Sequence, residues 1–129
     1  MTRVLLGEDN PVLLREIAHA LEIHGYEVIQ ASEGQCIINY LSESDRKPDI
    51  IVSDSTLKDA AHQPISHYLT TSEAVHGIPT LFMVAFNAIS DIRSMTRNDD
   101  YIIKPFRTDD LTAAIENKLR RIYRTGVSG

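Results

Sequence analysis

The chain holds one cysteine, Cys36, in 129 residues. A single thiol cannot close an internal disulfide, which excludes a secreted fold framed by such bonds. No stretch approaches the roughly 18 apolar residues that a membrane span needs. The opening Met1-Thr2-Arg3-Val4-Leu5-Leu6-Gly7-Glu8-Asp9 meets acids before an apolar run long enough for a signal peptide. Positive charge is also scarce. Thirteen Lys and Arg stand against eighteen Asp and Glu, for a net charge of −5. A surface that grips phosphate backbones must be basic, so nucleic acid is not expected as a direct partner. There is no internal repeat and no low-complexity segment. These absences leave a cytoplasmic globular protein, with length for one domain and one core.

What is present is a strict alternation of short apolar runs and helical patterns. The run Ile50-Ile51-Val52-Ser53 leads straight into Asp54. A β-branched run without polar alternation suits a strand covered on both faces, as in a parallel sheet. Residues 3–7, 26–31, 80–84 and 101–103 read the same way. Between them, Asn10-Pro11 is an N-cap followed by proline at the first helical position. Leu14, Ile17, Ala18 and Leu21 then recur at helical spacing, and Gly25 closes that helix. Ser32 or Glu33 opens a second helix carrying Ile37, Ile38 and Leu41. Residues 55–63 read as a polar loop, and residues 64–73 as a weakly patterned helix with Ile65 and Leu69 inward. Residues 88–97 are expected as a polar helix with Ile89, Ile92 and Met95 on one face. Thr108 is expected to cap a last helix, with Asp109 and Asp110 in its first turn and Leu111, Ile115, Leu119 and Ile122 inward. Five strand–helix repeats with short links define an α/β fold. The expectation is a single doubly wound, five-stranded parallel sheet of flavodoxin-like (βα)5 type, helices on both faces. It occupies residues 3–124, with residues 125–129 as a polar tail or the start of a linker.

Four charged groups fall at or just past strand ends: Glu8 and Asp9 after the first, Asp54 at the third, Lys104 after the fifth. A parallel sheet gathers such ends on one edge, where ligands bind in open α/β sheets. An acid at one strand end is often only a cap or turn residue. Four such groups at matched positions ask for another cause. Three carboxylates together repel each other and call for a hard cation, for which oxygen ligands favour Mg²⁺. Lys104 adds a compact positive charge. The set suits phosphoryl transfer, with a carboxylate attacking in line while positive groups neutralise the equatorial oxygens.

At this point the sequence resembles the receiver domain of two-component response regulators, the chemotaxis-protein-Y-like fold. The resemblance covers nearly the whole chain. It rests on Val4-Leu5-Leu6-Gly7-Glu8-Asp9-Asn10, on Pro48-Asp49-Ile50-Ile51-Val52-Ser53-Asp54, and on Asp99-Asp100-Tyr101-Ile102-Ile103-Lys104-Pro105-Phe106. It implies that Asp54 is the phosphoacceptor, taking a phosphoryl group from a histidine kinase or phosphotransfer protein. It implies Mg²⁺ held by Glu8, Asp9, Asp54 and the backbone carbonyl of Thr56, with Lys104 pairing to the phosphoryl group. It further implies a cis Lys104–Pro105 bond and Tyr101 as the aromatic switch residue. Residues 88–97, the Tyr101 strand and the last helix would form a face for homodimerisation or docking. There Arg93, Arg97 and Arg107 stand against Asp99, Asp100 and Asp109, which reads equally as inter-subunit pairs or as solvated surface. A domain of this kind is regulatory rather than an enzyme, acting only in its own phosphorylation and dephosphorylation.

The sequence also departs from that pattern. The switch position at the end of the fourth strand, a Thr or Ser in the family, is Val84 here, with no hydroxyl to donate. A hydrogen bond to a charged acceptor is worth about 1.5–3 kcal/mol, as large as a typical coupling between sites. Glu8 replaces the usual Asp, Lys58 a usual Pro, and Arg97-Asn98 a common Gly-Ala. Phe86, two residues past Val84, is placed to cover the site. Two readings follow: phosphorylation at Asp54 with switching by a modified route, or a pseudo-receiver that binds a partner independently of phosphorylation. The retained acids and Lys104 favour the first. A small aspartyl-phosphate hydrolase is a remote third, since Thr56 stands where such enzymes need an acid. His19, His24, His62, His67 and His76 show no metal-ligand spacing and read as surface residues, and Cys36 as a packing residue.

Overall fold

A computed structural model describes residues 1–88 and 101–128 of the chain, with side chains through residue 87 and from 101 to 121. The elements run β1 (Arg3–Gly7), α1 (Pro11–Ile23), β2 (Glu27–Ala31), α2 (Gly34–Glu43), β3 (Ile50–Asp54), α3 (Ile65–Thr71), β4 (Thr80–Ala85), β5 (Tyr101–Lys104) and α4 (Thr108–Ser128). The helix expected over residues 88–97 and the residues Arg93, Arg97, Asp99 and Asp100 lie outside the described residues or at their margin. All strand pairs are parallel, in the order β2-β1-β3-β4-β5. The strand order reverses between β1 and β3, the crevice where such sheets bind ligands.

Successive side chains on a strand point to opposite faces, and each face here has its own core. Val4 and Leu6 of β1, Ile50 and Val52 of β3, and Leu81 and Met83 of β4 pack against α1 and α4. Leu5, Ile51, Phe82 and Val84 pack on the other face, against Ile37 and Leu41 of α2 and Ile65 and Leu69 of α3. Covering both faces requires strands that are apolar throughout. All five residues of β3 are buried, Asp54 included.

The helix ends follow local chemistry. The Asn10 side chain accepts from the backbone N–H groups of Val12 and Leu13 at 3.0 and 3.1 Å, and Pro11 needs no partner at the first position. Gly25, with φ of 106°, lets the chain turn back toward β2.

Two expectations need correction and one is narrowed. The helix expected over residues 64–73 is present with Ile65 and Leu69 inward, but α3 ends at Thr71, and a separate 3-10 turn spans Glu73–Val75. Ser72 is the cause. Its hydroxyl accepts from the Ala74 N–H at 3.1 Å, restarting the chain as a cap. The cap of α4 is Arg107 rather than Thr108. Its carbonyl accepts from Leu111 N at 3.1 Å, and its own N–H donates to the Asp110 carboxylate at 3.4 Å. The last helix, α4, runs on through Ser128. Adding a residue to an existing helix costs far less than starting one, so polar residues can follow. Cys36 is exposed rather than packed. On α2 it is one position from buried Ile37, a rotation that carries it off the inner face.

Candidate functional site

Gly7 on β1 stands in register with Ser53 on β3, and Ala85 on β4 with Lys104 on β5. The residues following Gly7 and Ser53 are therefore neighbours across the β1/β3 crevice. One carboxylate oxygen from each of Glu8, Asp9 and Asp54 lies within 4.8 Å of the others. Glu8 is 1% exposed and Asp54 5%, while Asp9 faces solvent.

Glu8 is the most tightly held of the three. Its Oε1 accepts from Lys104 Nζ at 2.6 Å, and its Oε2 from the backbone N–H of Asn10 at 3.1 Å. Burial nevertheless raises its pKa above the ordinary carboxylate value of 4.5. The hydrogen bonds from Lys104 and Asn10 oppose that rise, and Asp9 and Asp54 add to it. For Lys104, burial acts downward, but the bond to Glu8 and the fields of Asp54 and Glu8 outweigh it, so its pKa is raised. The lysine is therefore held protonated between two carboxylates. Its Nζ is 3.4 Å from Asp54 Oδ2.

Asp54 is held from its own loop. The Thr56 N–H donates to Asp54 Oδ1 and the Thr56 hydroxyl to Oδ2, both at 3.2 Å. That loop is built, not slack. The Asp59 carboxylate accepts from Ala61 and Gln63 N–H groups at 2.9 Å each. Lys58 bridges back to Pro64. The loop also docks on the start of α2: the Gly34 N–H donates to the Lys58 carbonyl at 3.1 Å, and the Ala60 N–H to Gln35 Oε1 at 2.9 Å. A cavity of about 490 Å³ lies between loop and helix, with Asp9, Glu33, Thr56, Lys58 and His62 among its walls.

The structure thus gathers Glu8, Asp9, Asp54 and Lys104 in one place. Val84 is fully buried among the apolar side chains of the second core, and Tyr101 is half-buried against the same cluster, with Phe82 and Tyr101 in register. The Lys104–Pro105 bond is cis. Phe86 is 75% exposed, so its ring covers little of the site in this conformation. The five histidines are exposed. His24 pairs with Glu116 at 2.6 Å. Sequence reasoning missed the Thr56 hydroxyl and the Gly34 and Gln35 contacts. Nothing in the sequence signals a bond between residues 25 apart.

The donor set fits a hard divalent cation. Three carboxylates beside one lysine leave two formal negative charges uncompensated, and every side-chain donor is an oxygen.

The β2-β1-β3-β4-β5 order with acids and a lysine at one sheet edge defines a doubly wound α/β domain with a charged site at its switch point. The comparisons with known proteins make that specific. The response regulator receiver domain family matches residues 4–116, and the chain belongs to that family. It is 32% identical over 127 residues to the probable transcriptional regulatory protein TcrX of Mycobacterium tuberculosis, covering 97% of this chain and 51% of that protein. It is 30% identical over 122 residues to the phosphate regulon transcriptional regulatory protein PhoB of Escherichia coli, covering 93% of this chain and 52% of that one. The chain spans about half the length of these curated relatives. Among solved structures, the signal receiver domain of a signal transduction histidine kinase from Syntrophus aciditrophicus superposes with a TM-score of 0.81 at 22% identity, covering 96% of this chain and 94% of that one. The N-terminal domain of a response regulator/sensory box/GGDEF 3-domain protein from Carboxydothermus hydrogenoformans gives 0.75 at 26%, covering 98% and 99%. Among the described residues, no helix is long and apolar enough to cross a membrane.

Proposed function

We propose that this chain is a cytoplasmic phosphoacceptor domain in which Asp54 takes a phosphoryl group from the phosphohistidine of a histidine kinase or phosphotransfer protein. One observation carries this reading. A buried carboxylate at the sheet's reactive edge has a lysine Nζ 3.4 Å away and two further acids within 4.8 Å. An Asp54 oxygen attacks the phosphorus in line. The new O–P bond forms as the P–N bond breaks, and the imidazole leaves with the electron pair and takes up a proton. Lys104 sits where it can neutralise an equatorial oxygen of the transferring group, and Glu8 holds it there. Glu8, Asp9, Asp54 and the Thr56 carbonyl would hold Mg²⁺, which when bound offsets the charge of the phosphoryl oxygens.

The retained acids support this reading over a phosphorylation-independent binding module. Without phosphoryl transfer, burying Glu8 beside two other carboxylates has a cost and no return. Val84, buried in the core, is the observation that favours the module. Incubation with Mg²⁺ and a labelled acyl phosphate separates the two. The phosphoacceptor reading predicts label on the wild type, lost in Asp54→Asn and lost on chelation. A wild type that takes no label, or an Asp54→Asn variant that takes it equally, would reject this reading.

A further inference from the structure

The proposed chemistry leaves one role without a residue. The family's switch hydroxyl is missing at Val84, whose side chain is wholly buried and has no donor. A hydroxyl does reach the carboxylate, but from the loop after β3. Thr56 Oγ1 donates to Asp54 Oδ2 at 3.2 Å, while the Thr56 N–H fixes Oδ1 at the same distance. Thr56 is exposed and is one of the residues lining the cavity beside the site.

We propose that Thr56 supplies the phosphoryl-binding hydroxyl that position 84 lacks, turning from Asp54 Oδ2 to a phosphoryl oxygen once Asp54 is phosphorylated. This rests on the reading of Asp54 as phosphoacceptor. Phosphorylation converts one carboxylate oxygen into an ester oxygen, a weaker acceptor, and sets charged oxygens beside it. A hydroxyl hydrogen rotates freely and follows the stronger acceptor. An oxygen already in contact with the carboxylate lies within the shell that a phosphoryl group attached there would fill.

The route of the signal changes as a result. Thr56 belongs to the loop that docks on α2 through Gly34 and Gln35. Movement of Thr56 reaches those two contacts along the loop, through Lys58 and Ala60, whereas Val84 has no side-chain donor with which to draw β4 toward the phosphoryl group.

The test is an amide NMR titration with beryllofluoride, a phosphoryl mimic, in Mg²⁺. Wild type, Thr56→Val, Thr56→Ser and Asp54→Asn would be compared. Valine keeps the shape of threonine and loses only the hydroxyl. We expect Thr56→Val to bind beryllofluoride about tenfold more weakly or worse, the factor a charge-assisted hydrogen bond is worth. Thr56→Ser, which keeps the hydroxyl, should restore beryllofluoride binding. In the wild type, shifts at Gly34, Gln35 and Ala60 should exceed those at Val84. Thr56→Val binding as tightly as wild type would overturn the proposal while leaving Asp54 its role. Failure of Thr56→Ser to restore binding would overturn it too, by showing that the loss does not come from the hydroxyl. Absence of any Asp54-dependent shift in the wild type would remove the phosphoacceptor reading itself, and this inference with it.

Discussion

Gly34 shows how little freedom a single residue has near this site. A Cβ built there would meet the Lys58 carbonyl oxygen at 2.6 Å, and that atom is backbone, not a movable side chain. Gly34→Ala should therefore push the β3–α3 loop off α2 and cost about 1–3 kcal/mol in urea unfolding. A loss within error of zero would mean that the loop is not docked as described. The same scale shows what the sequence could reveal. Glu8, Asp9, Asp54 and Lys104 were legible because apolar runs mark where strands stop, and the residue after a stop lies on the reactive edge. The Thr56 hydroxyl was not legible, because its direction depends on the path of the loop. Nor was the burial of Glu8: its contact with Lys104 spans 96 residues and depends on which strands are neighbours.

At the scale of elements, α1 was readable to the residue because its start and stop are local chemistry. Asn10→Ala removes the acceptor for two N–H groups and should cost about 1 kcal/mol, measured by thermal or urea unfolding. An unchanged midpoint would show that water replaces the cap at no cost. The end of α3 was less legible, because the Ser72 hydroxyl caps a separate turn at Glu73–Val75 within a weakly patterned segment. The edge strand β2 offers a pH test. Arg3 pairs with Glu27 and holds its carboxyl below the ordinary value of 4.5. A carboxylate with a lowered folded pKa contributes stability above its unfolded pKa and loses it as pH falls through the folded one. The contribution of the pair is thus complete at neutral pH and fades below about pH 4.5. Glu27→Gln should lower stability at pH 7 and flatten part of the acid limb of the stability curve. A variant that keeps the full acid limb would place the titration elsewhere.

For the whole molecule, the order β2-β1-β3-β4-β5 explains why distant sequence segments share one site. β1 and β3 lie side by side at the centre, and their ends carry the acids. The fold class was legible from the alternation of strands and helices. The register that sets Gly7 beside Ser53 was not, since it is decided by how two separate cores pack on the two faces. The acidic cluster also predicts linkage between metal and stability. A cation that binds only the folded protein stabilises it by about 2.7 kcal/mol at a hundredfold excess over its dissociation constant. Mg²⁺ should therefore raise the unfolding temperature by several degrees. A chelator should reverse the shift, and Asp9→Asn should remove most of it. An equal response in Asp9→Asn would place the ion elsewhere.

The central claim is the identity of one atom's partner, and chemistry can read it directly. The protein would be treated with Mg²⁺ and a phosphoryl donor, then reduced with borohydride, which converts an aspartyl phosphate to homoserine. Peptide mass spectrometry would locate the product. The account predicts homoserine at position 54, dependent on the donor and on Mg²⁺. Homoserine at position 9, phosphate on a histidine alone, or no conversion under conditions that phosphorylate a working receiver would contradict it.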